Sequence, residues 1–198
     1  MQNKESSDSH ELIDRIRSGD QHAFQRFVEM YQRLVGHIVF RLVTNTSDRE
    51  DLCQDVFIKA YQNLKGFRYQ CKISTWIAKI AYNTCLNHLQ KKRPVLYEDH
   101  GPESGTLDGL MGSEQPPDSV TIEKDTVSRL HRELRELPVQ YRTIITLYHL
   151  DEMSYNEIGQ IMNLPEGTVK SYLFRARKEL RERLVLKYKV EELWEAAI

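Results

Sequence analysis

Phe24, Phe27, Val28, Tyr31, Leu34, Val35, Ile38 and Leu42 fall at steps of three and four residues with polar positions between them, which predicts one long amphipathic helix with a single buried face. Asp20 can cap its start. Before it, Asp8 and Glu11 have the spacing of a capping box and Gly19 suits a C-terminal stop, so 9–18 should form a short helix. Thr44 to Ser47 interrupts the pattern. Asp48 then opens a third helix reaching about Leu64, with Leu52, Val56, Phe57, Ala60, Tyr61 and Leu64 turned inward. Ser74 or Thr75 can cap a fourth, whose apolar positions are Ile77, Ile80, Ala81, Cys85, Leu86 and Leu89.

The periodicity lapses from Pro94 to Asp125, where Pro94, Pro102, Pro116 and Pro117 alternate with Gly101, Gly105, Gly109 and Gly112, as in a flexible linker. It resumes in 122–137 and 138–150, two helices burying Val127, Leu130, Leu134 and Leu137, then Ile144, Ile145, Leu147 and Tyr148. Ser154 with Glu157 opens a short helix ending near Met162. Asn163 tolerates the left-handed backbone of a tight turn, and Pro165 suits the first turn of the helix that follows. Ile158, Met162, Leu164, Val169 and Tyr172 could form a shared core, with Gly159 at the closest approach. This is the helix-turn-helix pattern, whose second helix enters the major groove of DNA. Leu184, Leu186, Val190, Leu193 and Trp194 continue as an amphipathic tail. The predicted fold class is all-α: two small helical domains, 8–93 and 122–186, a linker at 94–121 and a tail helix at 187–198.

Composition narrows the function mainly by exclusion. The 198 residues carry a formal net charge of -1, so bulk charge draws no nucleic acid, and local patches matter because screening acts beyond about 10 Å. The polar N-terminus lacks the apolar core of a secretory signal and no apolar run spans a membrane, which points to a cytoplasmic protein without membrane insertion. Cys53, Cys71 and Cys85 are widely spaced and unpaired with histidines, as ordinary reduced thiols are. No HExxH, P-loop, GxGxxG or Ser/His/Asp order occurs, so neither an enzyme, a metal nor a cofactor is expected.

Charge distribution says more. The presumed reading helix carries Lys170, Arg175, Arg177, Lys178, Arg181, Arg183, Lys187 and Lys189 against Glu166, Glu179 and Glu182, a local phosphate-binding surface or a solvated basic face. Between Val56 and Tyr97 there is no Asp or Glu, while basic residues alternate with Phe57, Tyr61, Phe67, Tyr69, Trp76 and Tyr82, the equipment of a single-strand binder. Within it Trp76, Lys79, Asn83, Asn87 and Gln90 form one narrow polar stripe on a helical wheel; amides can meet base edges, Lys79 a phosphate, and Trp76 a base, unless Trp76 is core and the amides only face water. On the third helix Asp51, Gln54, Asp55, Ile58 and Gln62 project together, either a solvated face or a contact for a basic partner protein. The linker inverts the charge: Glu98, Asp99, Glu103, Asp108, Glu114, Asp118, Glu123 and Asp125 face only Lys124, which repels DNA and suits a basic channel or a simple tether.

Three stretches, EDLCQDVFIKAYQNLKGF, STWIAKIAYNTCLNHLQKKRP and YNEIGQIMNLPEGTVKSYLFRARKEL, in this order and with the linker between the second and third, resemble the extracytoplasmic-function (group IV) sigma factors, the small two-domain specificity subunits of bacterial RNA polymerase. The resemblance runs from about Glu11 to Leu184. It implies that Asp51, Gln54, Asp55 and Ile58 dock the core polymerase. It implies that the loop Phe67 to Lys72, including Arg68 and Tyr69, captures a base flipped from the minus-ten element, with Trp76, Lys79, Asn83 and Asn87 on the adjoining helix. It implies that Lys170, Ser171, Phe174 and Arg175, flanked by Glu166, Thr168 and Lys178, read the duplex minus-thirty-five element. An inhibitory anti-sigma partner also follows from the resemblance. Tyr69, Gln70 and Cys71 depart from family loops that carry small or acidic residues.

The expected function is therefore to bind core RNA polymerase, recognise a two-part promoter and help open it. A stand-alone repressor or activator using the same helix-turn-helix is the alternative, although no dimer interface or ligand domain is evident and the acid-free stretch would have no task.

Overall fold

The structure, a computed structural model, describes residues 2–91 and 122–188, with side chains described for 10–91 and 128–188. Among the described residues all regular structure is helical. Contacts gather the chain into two compact units, Met1–Val95 with Asn156–Leu164, and Leu96–Tyr155 with Pro165–Ile198. No described helix is long and apolar enough to cross a membrane.

The first unit begins with α1 (Gln2–Arg17), α2 (Gln21–Leu42), α3 (Thr46–Asn63), a single 3₁₀ turn at Leu64–Gly66 and α4 (Ile73–Lys91). α1 already runs from Gln2, so Asp8 lies inside it rather than capping it. Its end follows the expectation: Gly19 takes φ 92, its amide reaches Ile16 O at 3.0 Å and the Asp20 amide reaches Arg15 O at 3.1 Å, the paired bonds of a glycine-terminated helix. Asp20 then caps α2 by accepting from the Ala23 amide. Hydrogen bonds from Arg15 to the same carboxylate hold its pKa below the usual carboxylate value. α2 is the centre of the unit and packs on α1, α3 and α4. Phe27, Val35, Ile38 and Val39 of α2 are buried with Ile13 and Ile16 of α1, Leu52, Val56 and Ala60 of α3, and Ile77, Ala81 and Cys85 of α4. Each large side chain removed from water contributes about 1.5–3 kcal/mol.

Several local expectations shift. α3 is capped by Asn45, which accepts from the Ser47 amide, so the helix opens before Asp48. The inward stripe of α3 is Leu52, Val56, Ala60 and then Leu64; Tyr61 lies a hundred degrees off it and is 50 % exposed, its ring edge against Phe24. α4 starts at Ile73, ahead of both Ser74 and Thr75, and Thr75 is buried.

In the second unit α5 (Ile122–Arg135) and α6 (Val139–His149) precede α8 (Glu166–Lys187), and both pack on α8. Leu134, Leu137, Ile144, Leu147, Val169, Leu173 and Ala176 form the core. Leu130, expected inside, is partly exposed, whereas Glu133 is fully buried. Arg142 is also buried; it donates to Leu137 O at 3.1 Å, and burial pulls its pKa down to about 10. Between α6 and α8 in the chain lies α7 (Tyr155–Met162), with Ile158, Gly159, Ile161 and Met162 buried. It ends as expected: Asn163 takes φ 57 and the Leu164 amide reaches Gly159 O at 2.9 Å. Pro165 precedes α8 as its cap residue rather than occupying its first turn, and the Thr168 and Val169 amides bond to its carbonyl. α8 stops at Lys187 because Tyr188 is extended; the rest of the expected tail helix and the acidic linker lie outside the described residues.

Candidate nucleic-acid interface

On α4 the polar stripe is open. Lys79, Asn83, Asn87 and Gln90 are exposed and make no hydrogen bond or ion pair among the described residues, while Ile77, Ala78, Ala81 and Cys85 on the other side are buried. Spacing of four, four and three residues puts the stripe on one face. Burial pushes the Cys85 thiol up to about 12 and raises Cys53 and Cys71 as well, so none of the three is poised as a thiolate.

The loop between the 3₁₀ turn and α4 carries the rings. Phe67 is 6 % exposed, so it underlies the loop instead of presenting a face. Its ring centre stands 5.0 Å from Tyr69 and 5.3 Å from Trp76, and both of those rings are half-buried. Three rings thus run in a row from the loop to the start of the stripe. Arg68 and Lys72 beside them are exposed. Tyr69 takes φ 56, a left-handed conformation unusual for an aromatic residue.

The α3 face is equally open. Asp51, Gln54, Asp55 and Ile58 are all exposed, Ile58 to 54 %, and the three polar side chains have no hydrogen-bond or ion-pair partner among the described residues. An exposed apolar side chain set among carboxylates without a partner among the described residues is the surface a basic partner protein would cover.

α8 divides its cations into engaged and free. Lys170 pairs with Glu166 at 2.7 Å, which raises its pKa, Lys178 approaches Glu182 at 3.9 Å, and Arg183 pairs with Glu179 at 2.9 Å. Arg175 and Arg181 are exposed without a hydrogen-bond or ion-pair partner among the described residues. Phe174 beside Arg175 is 70 % exposed. Thr168 is half-buried, and the Ser171 hydroxyl is turned back to Gly167 O at 2.9 Å. The exposed arginine and the bare ring therefore stand next to each other on the helix, with the paired Lys170 and Glu166 roughly one and a half and two and a half turns earlier.

One further cluster has no counterpart in the sequence pattern. The rings of Tyr148 and Tyr155 stack at 5.3 Å, with the Arg177 guanidinium 5.1 Å from Tyr148 and the Lys170 ammonium 5.4 Å from Tyr155. Arg177 also donates through Nε to Nε2 of His149 at 3.1 Å. These contacts join α8 to residues between 15 and 29 positions earlier, and helical periodicity carries no signal for such pairs. Among the described residues no group of three potential metal ligands converges.

Residues 27–95 match the family model for Sigma-70 region 2, and residues 128–180 match that for Sigma-70 region 4. The chain is 37 % identical over 177 residues to the ECF RNA polymerase sigma factor SigW of Bacillus subtilis, an alignment covering 87 % of this chain and 94 % of that protein. It is 36 % identical over 173 residues to the ECF RNA polymerase sigma-E factor of Escherichia coli, covering 85 % and 90 %. Among solved structures, CnrH in complex with the cytosolic domain of CnrY has the same fold, with a TM-score of 0.66 at 20 % identity over 89 % of this chain and 97 % of that one. So has the sigma factor RpoE of Bartonella quintana, solved with the anti-sigma factor NepR, with a TM-score of 0.58 at 22 % identity over 83 % and 98 %. Two successive region matches, one on each of the helical stretches either side of the linker, and relatives aligned along almost their whole length leave one conclusion: the chain belongs to the extracytoplasmic-function sigma factors of RNA polymerase.

Proposed function

We propose that this sigma factor divides initiation among three surfaces: α3 docks the core polymerase, the loop and stripe of α4 hold unpaired minus-ten bases, and α8 reads the duplex minus-thirty-five element. The observation that carries the reading is the α4 face, where Lys79, Asn83 and Asn87 stand open beside the Phe67, Tyr69 and Trp76 rings in a stretch with no carboxylate. Opening a promoter loses stacking of about 1.4 kcal/mol per base-pair step, and flipping a base costs a few kcal/mol. A base stacked on a ring returns about 1–3 kcal/mol, so one or two captured bases offset a comparable amount without ATP. The subunit itself needs no catalytic group, and it would work in the cytoplasm with the polymerase.

In the same reading 8–93 is the docking and melting domain, 122–186 the duplex-reading domain, 187–198 a C-terminal tail, and 94–121 an acidic strap that avoids DNA and suits basic polymerase surface. Arg175 would meet a guanine edge, with Phe174 and Ser171 beside it and Glu166, Thr168, Lys170 and Lys178 setting register. An anti-sigma factor is the proposed inhibitory partner; the related fold of RpoE was solved with one bound. The test is reconstitution: purified core RNA polymerase plus this chain should form a holoenzyme and start transcripts from a promoter in genomic DNA, and failure to bind core would remove the reading. A stand-alone repressor would bind duplex DNA and never core.

A further inference from the structure

The loop that carries Tyr69 is tied to a helix that the promoter-reading scheme leaves without work. Arg17, in the last turn of α1, donates through Nη2 to Phe67 O and through Nε to Leu64 O at 3.3 Å. Its Nη1 reaches the Tyr69 hydroxyl at 3.5 Å and Asp14 Oδ1 at 3.3 Å, and its guanidinium carbon lies 5.4 Å from the Tyr69 ring centre. The Tyr69 hydroxyl in turn donates to Asp14 Oδ1 at 3.3 Å, and the His10 ring stands 4.1 Å from the Tyr69 ring. One arginine therefore fixes two carbonyls at the entry to the loop and the tyrosine ring within it. That explains how a tyrosine persists at φ 56, a backbone state that survives only where the surroundings over-determine it.

We propose that Arg17, seconded by Asp14, is a positioning residue of the single-strand face: it holds Tyr69 beside Phe67 and Trp76 as a preformed wall, and the captured base is selected against that wall. The inference rests on the loop's reading as the base-capturing element. A ring already fixed loses no rotamer freedom when a base stacks on it, and a fixed edge discriminates between bases of different size where a mobile one adapts to all. α1 thereby contributes to promoter choice without touching DNA.

The test uses holoenzyme assembled from core RNA polymerase and the full chain. Its probe is a pool of DNAs randomised in an upstream duplex segment and in a downstream unpaired strand, sequenced before and after capture. Arg17→Ala should lower the preference at one unpaired position about tenfold, the scale of one base-on-ring stack, while upstream duplex preferences stay as they were. Tyr69→Gly, which accepts the left-handed backbone but removes the ring, should lose preference at the same position. Arg17→Lys should retain part of it. If Arg17→Ala does not fold, Asp14→Asn, an exposed change, should shift the same position roughly threefold. Equal weakening at every position, or no change for Arg17→Ala and Asp14→Asn while Trp76→Ala abolishes unpaired-strand selection, would overturn the positioning role and leave the loop's reading standing. Undiminished unpaired-strand selection by Trp76→Ala and Asn83→Ala would instead overturn the reading on which it rests.

Discussion

Lys187, in the last turn of α8, holds its ammonium 3.0 Å from both carboxylate oxygens of Glu133 on α5, a residue with no exposed surface. Tyr188 adds its hydroxyl to the same carboxylate at 3.2 Å. Removing the ammonium strands a buried charge, so Lys187→Met should cost about 1.5–3 kcal/mol of stability. Lys178 stands 3.9 Å from Glu182 with both side chains more than half exposed, and Lys178→Met should cost only about 0–1 kcal/mol. Urea unfolding of the two variants checks the difference, and equal losses would contradict it.

That pair also marks where sequence patterning runs out. Periodicity placed Leu130 on the buried side of α5 and could not place Glu133 there, because the partners that make a buried carboxylate tolerable lie 54 and 55 residues away. Arg17 and Tyr69, 52 residues apart, leave no mark on the local pattern for the same reason. What was legible is local. Gly19 and Asn163 adopt the left-handed turns their types permit, Asp20 caps α2, and the α4 stripe opens to solvent because its period matches that of the helix. Phe67 was legible as an aromatic of the loop, but its burial was not, since nothing in its neighbours says which ring lies beneath.

His149 should titrate below the ordinary 6.5, because burial first and the Arg177 charge second disfavour its protonated ring. With the folded value depressed, the unfolded chain takes up the proton first, so this group's contribution to stability is intact above 6.5 and falls away as pH drops from there through the folded value. Protonation also removes the lone pair that accepts from Arg177. NMR titration of the ring should show Arg177→Ala moving the midpoint up; a midpoint already at or above 6.5 in the unaltered chain would contradict the prediction.

Arg175, exposed and without a hydrogen-bond or ion-pair partner among the described residues, should carry sequence information, while Lys178 should carry register. Arg175→Ala should relax preference at one upstream base pair by about 1–3 kcal/mol and leave the others unchanged. Lys178→Ala should weaken all duplex sequences alike. Selection from a randomised duplex distinguishes them, and an unchanged profile for Arg175→Ala would end that assignment.

Ile58 and its acidic neighbours should govern assembly with core polymerase. Ile58→Glu changes a side chain that is 54 % exposed, so folding should be little affected, yet affinity for core should fall about tenfold or more, as for a central interface side chain. Binding to purified core measures it; wild-type affinity would move the docking face elsewhere.

Strand separation by the α4 face is tested most directly by permanganate reactivity of thymines in a promoter mapped from the protein's own transcripts, read beside a footprint of the upstream duplex. Holoenzyme with the unaltered chain should expose reactive thymines downstream, and Trp76→Ala or Asn83→Ala should cut that reactivity about tenfold with the upstream footprint retained. Undiminished reactivity in both variants, or reactivity and footprint lost together, would contradict a role for these side chains in holding unpaired bases.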